Sequence, residues 1–456
     1  MSDRSLSEEM IAPLLRRLAE GLPNEIRAQS RHHILDTLGI SIAAAYGSMT
    51  ARQTVDGLSV GAGGGSCRVI GYGHRLAPPL AACANSALAH AMDYDDSQDY
   101  ARLHLTSVTF PTALAAADIA DCSIGRVIDA VALGNEIMSR MGAMLKPVGE
   151  GPGSNWFLSQ LFGYVGAALV AGVVLGLTEA QIVSAIGLAY MQMAGGKEAA
   201  FSTGATSRSI YTSFASQAGI QSALIARAGV QGPYSALDGK TGLFRQYIGI
   251  DLTPAQRAEL TDAPGWLWAD TQVKLFPSCR HSHPYVAAGF ALRKQVALDA
   301  IEHILVEVNQ STMKLCQPLA ERLRPRTLPD AKYSIPFMTA FALVRGRVDL
   351  LNMDESIMAD QAVLDVARKV EVVASLPDLP GLPPGRVTIR AGGKTYSHYE
   401  ALEQSASAEQ LRNKFLTCFE YANVASFAPA LWTGIMEQED ASVAKLMNQV
   451  PVVKPT

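Results

Sequence analysis

Nothing in this 456-residue chain supplies the paired cysteines of a zinc ribbon or a disulfide framework. Its six cysteines, Cys67, Cys83, Cys122, Cys279, Cys316 and Cys418, are scattered with no C-x-x-C among them. That usage suits a reducing compartment, and a cytoplasmic protein is expected. The segment Met1 to Glu9 lacks the basic and apolar stretches of a signal peptide. Charge of one sign is missing too. Lys plus Arg (38) nearly balances Asp plus Glu (42), for a formal charge of -4, so no basic stripe is present for nucleic acid or an anionic membrane surface. Charged residues are only 18% against 48% hydrophobic, which excludes disordered and low-complexity classes. Several catalytic signatures are absent: the Gly-Lys-Ser/Thr of a phosphate loop, G-x-S-x-G, H-E-x-x-H and a pyridoxal-phosphate lysine motif. The glycine-rich Gly61 to Ser66 reads as a loop.

What is present is a soluble globular chain long enough for two or three domains. Gly151 to Thr178 holds no charge and is almost wholly apolar from Leu161 onward. Gln160, Gly163, Gly166, Gly172 and Gly176, with no basic flanks, make it a buried central helix rather than a membrane span. Up to residue 267 the pattern is helical, with capping signals at Thr178 to Gln181 and at Thr253-Pro254-Ala255-Gln256. Over 268–400 the texture changes. Ile304, Val306 and Val308 alternate with polar residues, and Val387-Thr388-Ile389 and Thr395-Tyr396 flank the turn Gly392-Gly393, while helices are expected around Pro284 to Gln295 and Pro336 to Val344. A capping box at Ser407 to Gln410 opens a helical return over 401–456. The fold expected is mainly α: a large all-helical domain built from both chain ends, plus a smaller α+β domain.

Two polar clusters stand out. His90-Ala91-Met92-Asp93-Tyr94-Asp95-Asp96-Ser97 places three acids within four positions, followed by Arg102 and His104. Plain capping by Asp95 and Asp96 against water is the simpler account of that clustering. Lys274 to Pro284 concentrates Lys274, Cys279, Arg280, His281 and His283 where the texture changes, and Arg208 and Tyr211 precede it in a third polar stretch. Crevices between domains are favoured ligand sites, and these donors suit a carboxylate. His281-x-His283 offers two metal ligands but has no third beside it, so no metal is expected.

At these residues the chain resembles the MmgE/PrpD family of 2-methylcitrate dehydratases, cis-aconitate decarboxylases and iminodisuccinate epimerases. The likeness runs through Asp36 to Gly39, His90 to Ser97, Phe110 to Leu114, Gly163 to Gly187, Arg208 to Gly219, Lys274 to Pro284 and Asp330 to Pro336. It implies a homodimer with a cofactor-free active site in the interdomain cleft, under a lid formed by the smaller domain. It also implies chemistry that begins by removing a proton beside a carboxylate. By resemblance Asp93, His104 and Lys274 are catalytic. Ser97, Arg102, Arg208, Tyr211, Cys279, Arg280 and His283 are expected to bind substrate.

The chain departs from that pattern at four places: the segment Trp156-Phe157-Leu158-Ser159 where many relatives carry a histidine, Arg208 in place of lysine, Phe337 in place of tyrosine, and Leu105 after His104 where proline is usual. Arg208 becomes an anion clamp rather than a base. These changes argue for a less polar substrate than 2-methylcitrate or cis-aconitate. The expected function is a lyase eliminating water from a small hydroxy acid, ahead of an epimerase, a decarboxylase or a ligand-binding protein without activity.

Overall fold

The computed structural model describes residues 4–61, 63–147, 151–202, 204–262, 264–401 and 406–454. The first three residues of the N-terminal reading and residue 62 of the glycine-rich loop lie outside them. The helical body opens with α1 (Leu6–Glu20), where the Ser5 hydroxyl accepts from the Glu8 amide, then α2 (Asn24–Gly47) and α3 (Met49–Ser59). A small antiparallel pair, β1 (Cys67–Arg68) with β2 (Arg75–Leu76), leads into α4 (Pro78–His90), α5 (Thr106–Ala120), α6 (Ile124–Met144) and α7 (Leu158–Leu175). Next come α8 (Glu179–Tyr190), α9 (Glu198–Phe201), α10 (Thr212–Arg227) and α11 (Pro254–Thr261). The expected capping boxes form at Thr178 and Thr253, because each hydroxyl accepts from the third helical amide while the glutamine reaches back.

The apolar run is α7, buried nearly throughout and packed on α5, α6 and α10. Its glycines set the spacing. A Cβ on Gly166 would lie 2.6 Å from Met138, and one on Gly219 of α10 would lie 2.2 Å from the Ala167 methyl. Side chains there would push the helices apart, so the composition that imitates a membrane span serves close helix packing.

The second body holds α12 (His283–Arg293), β3 (Ile301–Asn309), α13 (Leu319–Leu323), α14 (Leu328–Lys332), α15 (Ile335–Arg345) and α16 (Gln361–Ala367). They are followed by β4 (Val370–Leu376), β5 (Gly385–Ala391) and β6 (Lys394–Glu400). Its sheet has the order β4-β3-β5-β6, with β3 parallel to β4 and antiparallel to β5. β5 and β6 form the expected hairpin, closed by Gly392 and Gly393 at φ 56° and 73°, the left-handed conformation that a two-residue turn needs. β4 escaped the sequence reading. Its side chains are mostly half-exposed or exposed, without the apolar alternation that marks β3.

The chain then returns through α17 (Ala408–Tyr421), α18 (Ala428–Glu437) and α19 (Val443–Met447), packing on α2 and α5. The protein is mainly α, with a large helical body and a smaller α+β one. One apolar core draws on 6–268, Leu350 and 415–453, and the other on 279–391.

Candidate active site

α4 ends at His90, and the turn after it is held open by three buried lysines on three successive carbonyls. Lys332 Nζ donates to Met92 O at 2.8 Å, Lys274 Nζ to Asp93 O at 3.2 Å, and Lys414 Nζ to Tyr94 O at 2.7 Å. Two of these lysines come from the α+β side and one from the C-terminal return, so the turn takes its shape from the whole fold. Asp93 sits at φ 51°, and Arg102 at φ 54°. Left-handed backbone costs a non-glycine residue about 1–2 kcal/mol, and such strain gathers at functional sites.

The side chains of this turn point inward. Lys274 Nζ donates to Asp93 Oδ1 at 2.7 Å and lies 4.0 Å from Asp95 Oδ1. Burial works to raise the Asp93 carboxyl, but Lys274, His90 and His104 outweigh it and hold it below its ordinary value. Burial likewise opposes ionisation of Asp95, yet His90, His104 and Lys274 keep it well below. Lys274 is the mirror case: burial lowers it, and the two carboxylates more than compensate. Asp96 does cap the next helix, its carboxylate accepting from the Leu105 amide at 2.9 Å and the Thr106 amide at 3.2 Å. It does so buried, not in water. A proline at 105 would remove one of those donors, which gives Leu105 its local reason.

Of His90, Asp95 and His104, it is His104 that lines the cavity between the two bodies. Its side chain is 16% exposed, against 1% for His90 and 0% for Asp95. Its Nδ1 lies 2.6 Å from the Asp96 carbonyl oxygen. A carbonyl can only accept, so Nδ1 carries the proton and Nε2 keeps its lone pair. Burial lowers the His104 pKa despite the opposing pull of Asp95, so the imidazole is neutral near pH 7. His90, His104 and Asp95 offer ligand atoms within 4.8 Å of one another. The ring nitrogens nearest Asp95 Oδ2 are Nδ1 of His90 at 2.8 Å and of His104 at 3.7 Å. The first donates to Asp95 and the second to the Asp96 carbonyl. The trio is therefore a hydrogen-bond cluster rather than a set of lone pairs converging on a metal.

Where the two bodies meet there is a cavity of about 160 Å³. Asp93, Ser97, Arg102, His104, Tyr211, Cys279 and Arg280 all line it, so the fold brings seven of the ten singled-out residues together. Ser97 Oγ donates to Asp99 Oδ1 at 2.8 Å, and Arg280 clasps Asp99 at 2.9 Å. Tyr211 caps α10 rather than lying within it. Its ring stacks on Phe157 at 4.1 Å, and burial raises its hydroxyl pKa. Burial pushes the Cys279 thiol up to about 11, which keeps it protonated and a poor nucleophile.

Three residues are placed elsewhere. Lys274 is fully buried behind Asp93 and does not line the cavity. His283 packs on Phe276 at 5.0 Å between ring centres, and its Nε2 lies 3.3 Å from the Ser278 carbonyl; its neighbour His281 lines the cavity instead. The two histidines flank the junction of a 3-10 turn with α12, and two residues apart they point different ways. Arg208 pairs with Asp330 at 2.7 Å and faces a second cavity. Phe337 is buried in the α+β core and touches neither cavity, so that departure changes packing rather than the site.

Asp99, Lys197, His281, Lys314 and Tyr333 line the cavity without having been singled out as site residues. Two side chains carry orphaned polar atoms. Arg102 Nε and Nη2 and His281 Nδ1 are buried without a hydrogen-bond partner. With Arg102, Lys197, Arg280 and Lys314 against Asp93 and Asp99, the lining carries surplus positive charge. This runs against the less polar substrate inferred from the departures. Those departures removed polar groups that sequence motifs reveal, while Lys197 and Lys314 lie in no motif.

Burial also sets an acid sensitivity. His104, His281 and His283 are all held below the ordinary 6.5, chiefly by desolvation. The unfolded chain therefore binds more protons than the native one below that value, so stability present above pH 6.5 is lost as pH falls. Thermal melts are expected to show Tm dropping between pH 7 and pH 5, before carboxylates titrate. A Tm flat over that window would contradict this.

Residues 16–254 match the MmgE/PrpD N-terminal domain and residues 276–426 the MmgE/PrpD C-terminal domain. A cis-aconitate decarboxylase of Aspergillus terreus is 26% identical over 377 residues, covering 77% of this chain and 74% of that protein. The cis-aconitate decarboxylase-like protein oryM of Aspergillus oryzae is 28% identical over 378 residues, covering 78% and 76%. Fold, cavity and relatives together define a class of dehydratase- or decarboxylase-type lyases. The chain belongs to the MmgE/PrpD family. The epimerase outcome draws no support from these relatives.

Proposed function

We propose that the protein is a lyase that takes a proton from a carbon beside a carboxylate of a small acid and expels water. His104 Nε2 is the base, and no cofactor is required. The electrons of the broken C–H bond form the alkene, the C–O bond breaks, and the departing hydroxide leaves as water with a proton. Tyr211, which lines the cavity and whose hydroxyl burial keeps protonated, gives that proton. Arg102, Lys197 and Arg280 hold carboxylate and offset the negative charge that develops.

One observation carries the reading. The Asp96 carbonyl takes the Nδ1 proton of His104 and leaves the lone pair on Nε2, in a ring that lines the cavity and that burial keeps neutral. A neutral imidazole accepts a proton; decarboxylation with protonation at carbon asks for a donor first. The likeness to cis-aconitate decarboxylases favours that second reading, with Tyr211 as donor.

Both are tested by incubating the protein in deuterated water with a panel of small hydroxy acids and with cis-aconitate, following products by NMR and released CO2. Deuterium exchange with alkene formation supports dehydration. CO2 release without prior exchange supports decarboxylation, and inversion alone returns the epimerase. Silence across the panel contradicts both lyase readings. On the active substrate, Arg102→Gln is expected to raise KM about tenfold or more, because a charged hydrogen bond contributes roughly 1.5–3 kcal/mol. An unchanged KM would remove Arg102 from binding.

A further inference from the structure

A second cavity of about 430 Å³ lies on the other side of the Asp93 turn, sharing Asp93 and Tyr333 with the first. We infer that this second cavity is a binding site for a small organic oxyanion, a carboxylate or phosphate carried on an aromatic or apolar body. The lyase reaction proposed above does not use this cavity, although one of its lining residues, Arg208, stands where the family likeness expects a substrate-binding cation.

Three independent donors converge there. Ser48, Met49 and Thr50 line it, and they are the cap and first two residues of α3, an 11-residue helix. The amides of Met49 and Thr50 have no acceptor within that helix, and the positive end of its dipole faces the cavity. Lys332 also lines it. This lysine is 3% exposed, and its ammonium donates to the Met92 carbonyl and makes no direct ion pair among the described residues, with Asp93 the carboxylate that acts on it most. A buried ammonium without a directly paired carboxylate gains from an anion that joins it. Burial brings Lys332 down to about 8 despite the opposing pull of Asp93. The third donor is Arg208, 2% exposed. One of its nitrogens serves Asp330, while its Nε is buried with no partner.

The body of the ligand follows from the remaining wall. Tyr46, Tyr333 and Tyr421, with Met49, Met92 and Met353, offer aromatic faces and adaptable thioethers. Asp354 and Glu355 are exposed at its rim and disfavour an anion with several charges. A single oxyanion held deep, with its apolar body toward the rings, satisfies both. Through the Lys332 bond to Met92 O, the residue before Asp93, an occupant reaches the catalytic turn.

Benzoate and phenyl phosphate are the probes, titrated into the full-length protein by calorimetry. At least one is expected to bind. Thr50→Glu should weaken that binding at least tenfold, because a carboxylate in the first turn occupies the donors. The same charge favours the helix, so the variant folds. Lys332→Gln should weaken it as well, and Arg102→Gln, in the first cavity, should leave it unchanged. Preference between the probes identifies carboxylate or phosphate. Failure of both probes to bind, binding that survives Thr50→Glu, or binding that requires Arg102 would overturn the inference. None of these outcomes depends on the lyase reading.

Discussion

Replacing His104 by Asn is expected to lower kcat by about 10²–10⁴-fold, the range a positioned general base supplies, while leaving the fold intact. The choice of Asn matters. Its side-chain amide can still donate to the Asp96 carbonyl that His104 Nδ1 now reaches at 2.6 Å, so the loop keeps its anchor and only the lone pair is lost. A purely structural histidine would show the reverse, a falling Tm with little loss of rate. In the unsubstituted protein, activity should hold to below pH 6.5 before its acid limb begins, because burial places the His104 pKa under that value. The Asn variant should have no such limb in its residual rate. A rate within threefold of the unsubstituted protein, measured by NMR on the active substrate, would remove His104 from the mechanism.

The legible part of this molecule was the part written in local periodicity. β3, the β5–β6 hairpin, the three capping boxes and the glycine-rich central helix follow from alternation, turn chemistry and small-residue spacing within a few residues. β4 was not legible. Its place in the sheet comes from a parallel pairing with β3, Ile304 opposite Val370, across a long crossover, and its own side chains carry little apolar signal. The site divides along the same line. Asp93, Ser97, Arg102 and His104 lie close together in the chain and reach one cavity. Lys197, capping α9, and Lys314, in a 3-10 helix after β3, are far apart in the chain and were invisible until the two bodies met. The opposite fates of His281 and His283 turn on a single 3-10 turn, which composition and spacing do not specify.

Lys274→Met should be the most destabilising single change in the site. The ammonium is wholly buried and offsets Asp93 at 2.7 Å and Asp95 at 4.0 Å, and Asp93 Oδ2 and Asp95 Oδ1 already have no hydrogen-bond partner. Removing one member of a buried pair costs about 3–5 kcal/mol, because the other charge stays behind in low dielectric. The pH dependence separates this cause from simple loss of packing. With Lys274 present, Asp93 is held below its ordinary value, so its contribution exists above that value and fades as pH falls through the native one. Without Lys274, burial acts alone and raises the carboxyl, so the native state binds a proton before the unfolded state does. The variant should then lose less stability than the parent as pH falls from 7 to 5, which thermal melts would show as a narrowing gap in Tm. Adding Asp93→Asn removes the stranded charge and should recover most of the lost Tm. It should not recover activity, since Asp93 lines the cavity beside His104. If the double variant melts no higher than Lys274→Met, the pair is not what holds the turn, and the weight passes to Lys332 and Lys414 on the neighbouring carbonyls.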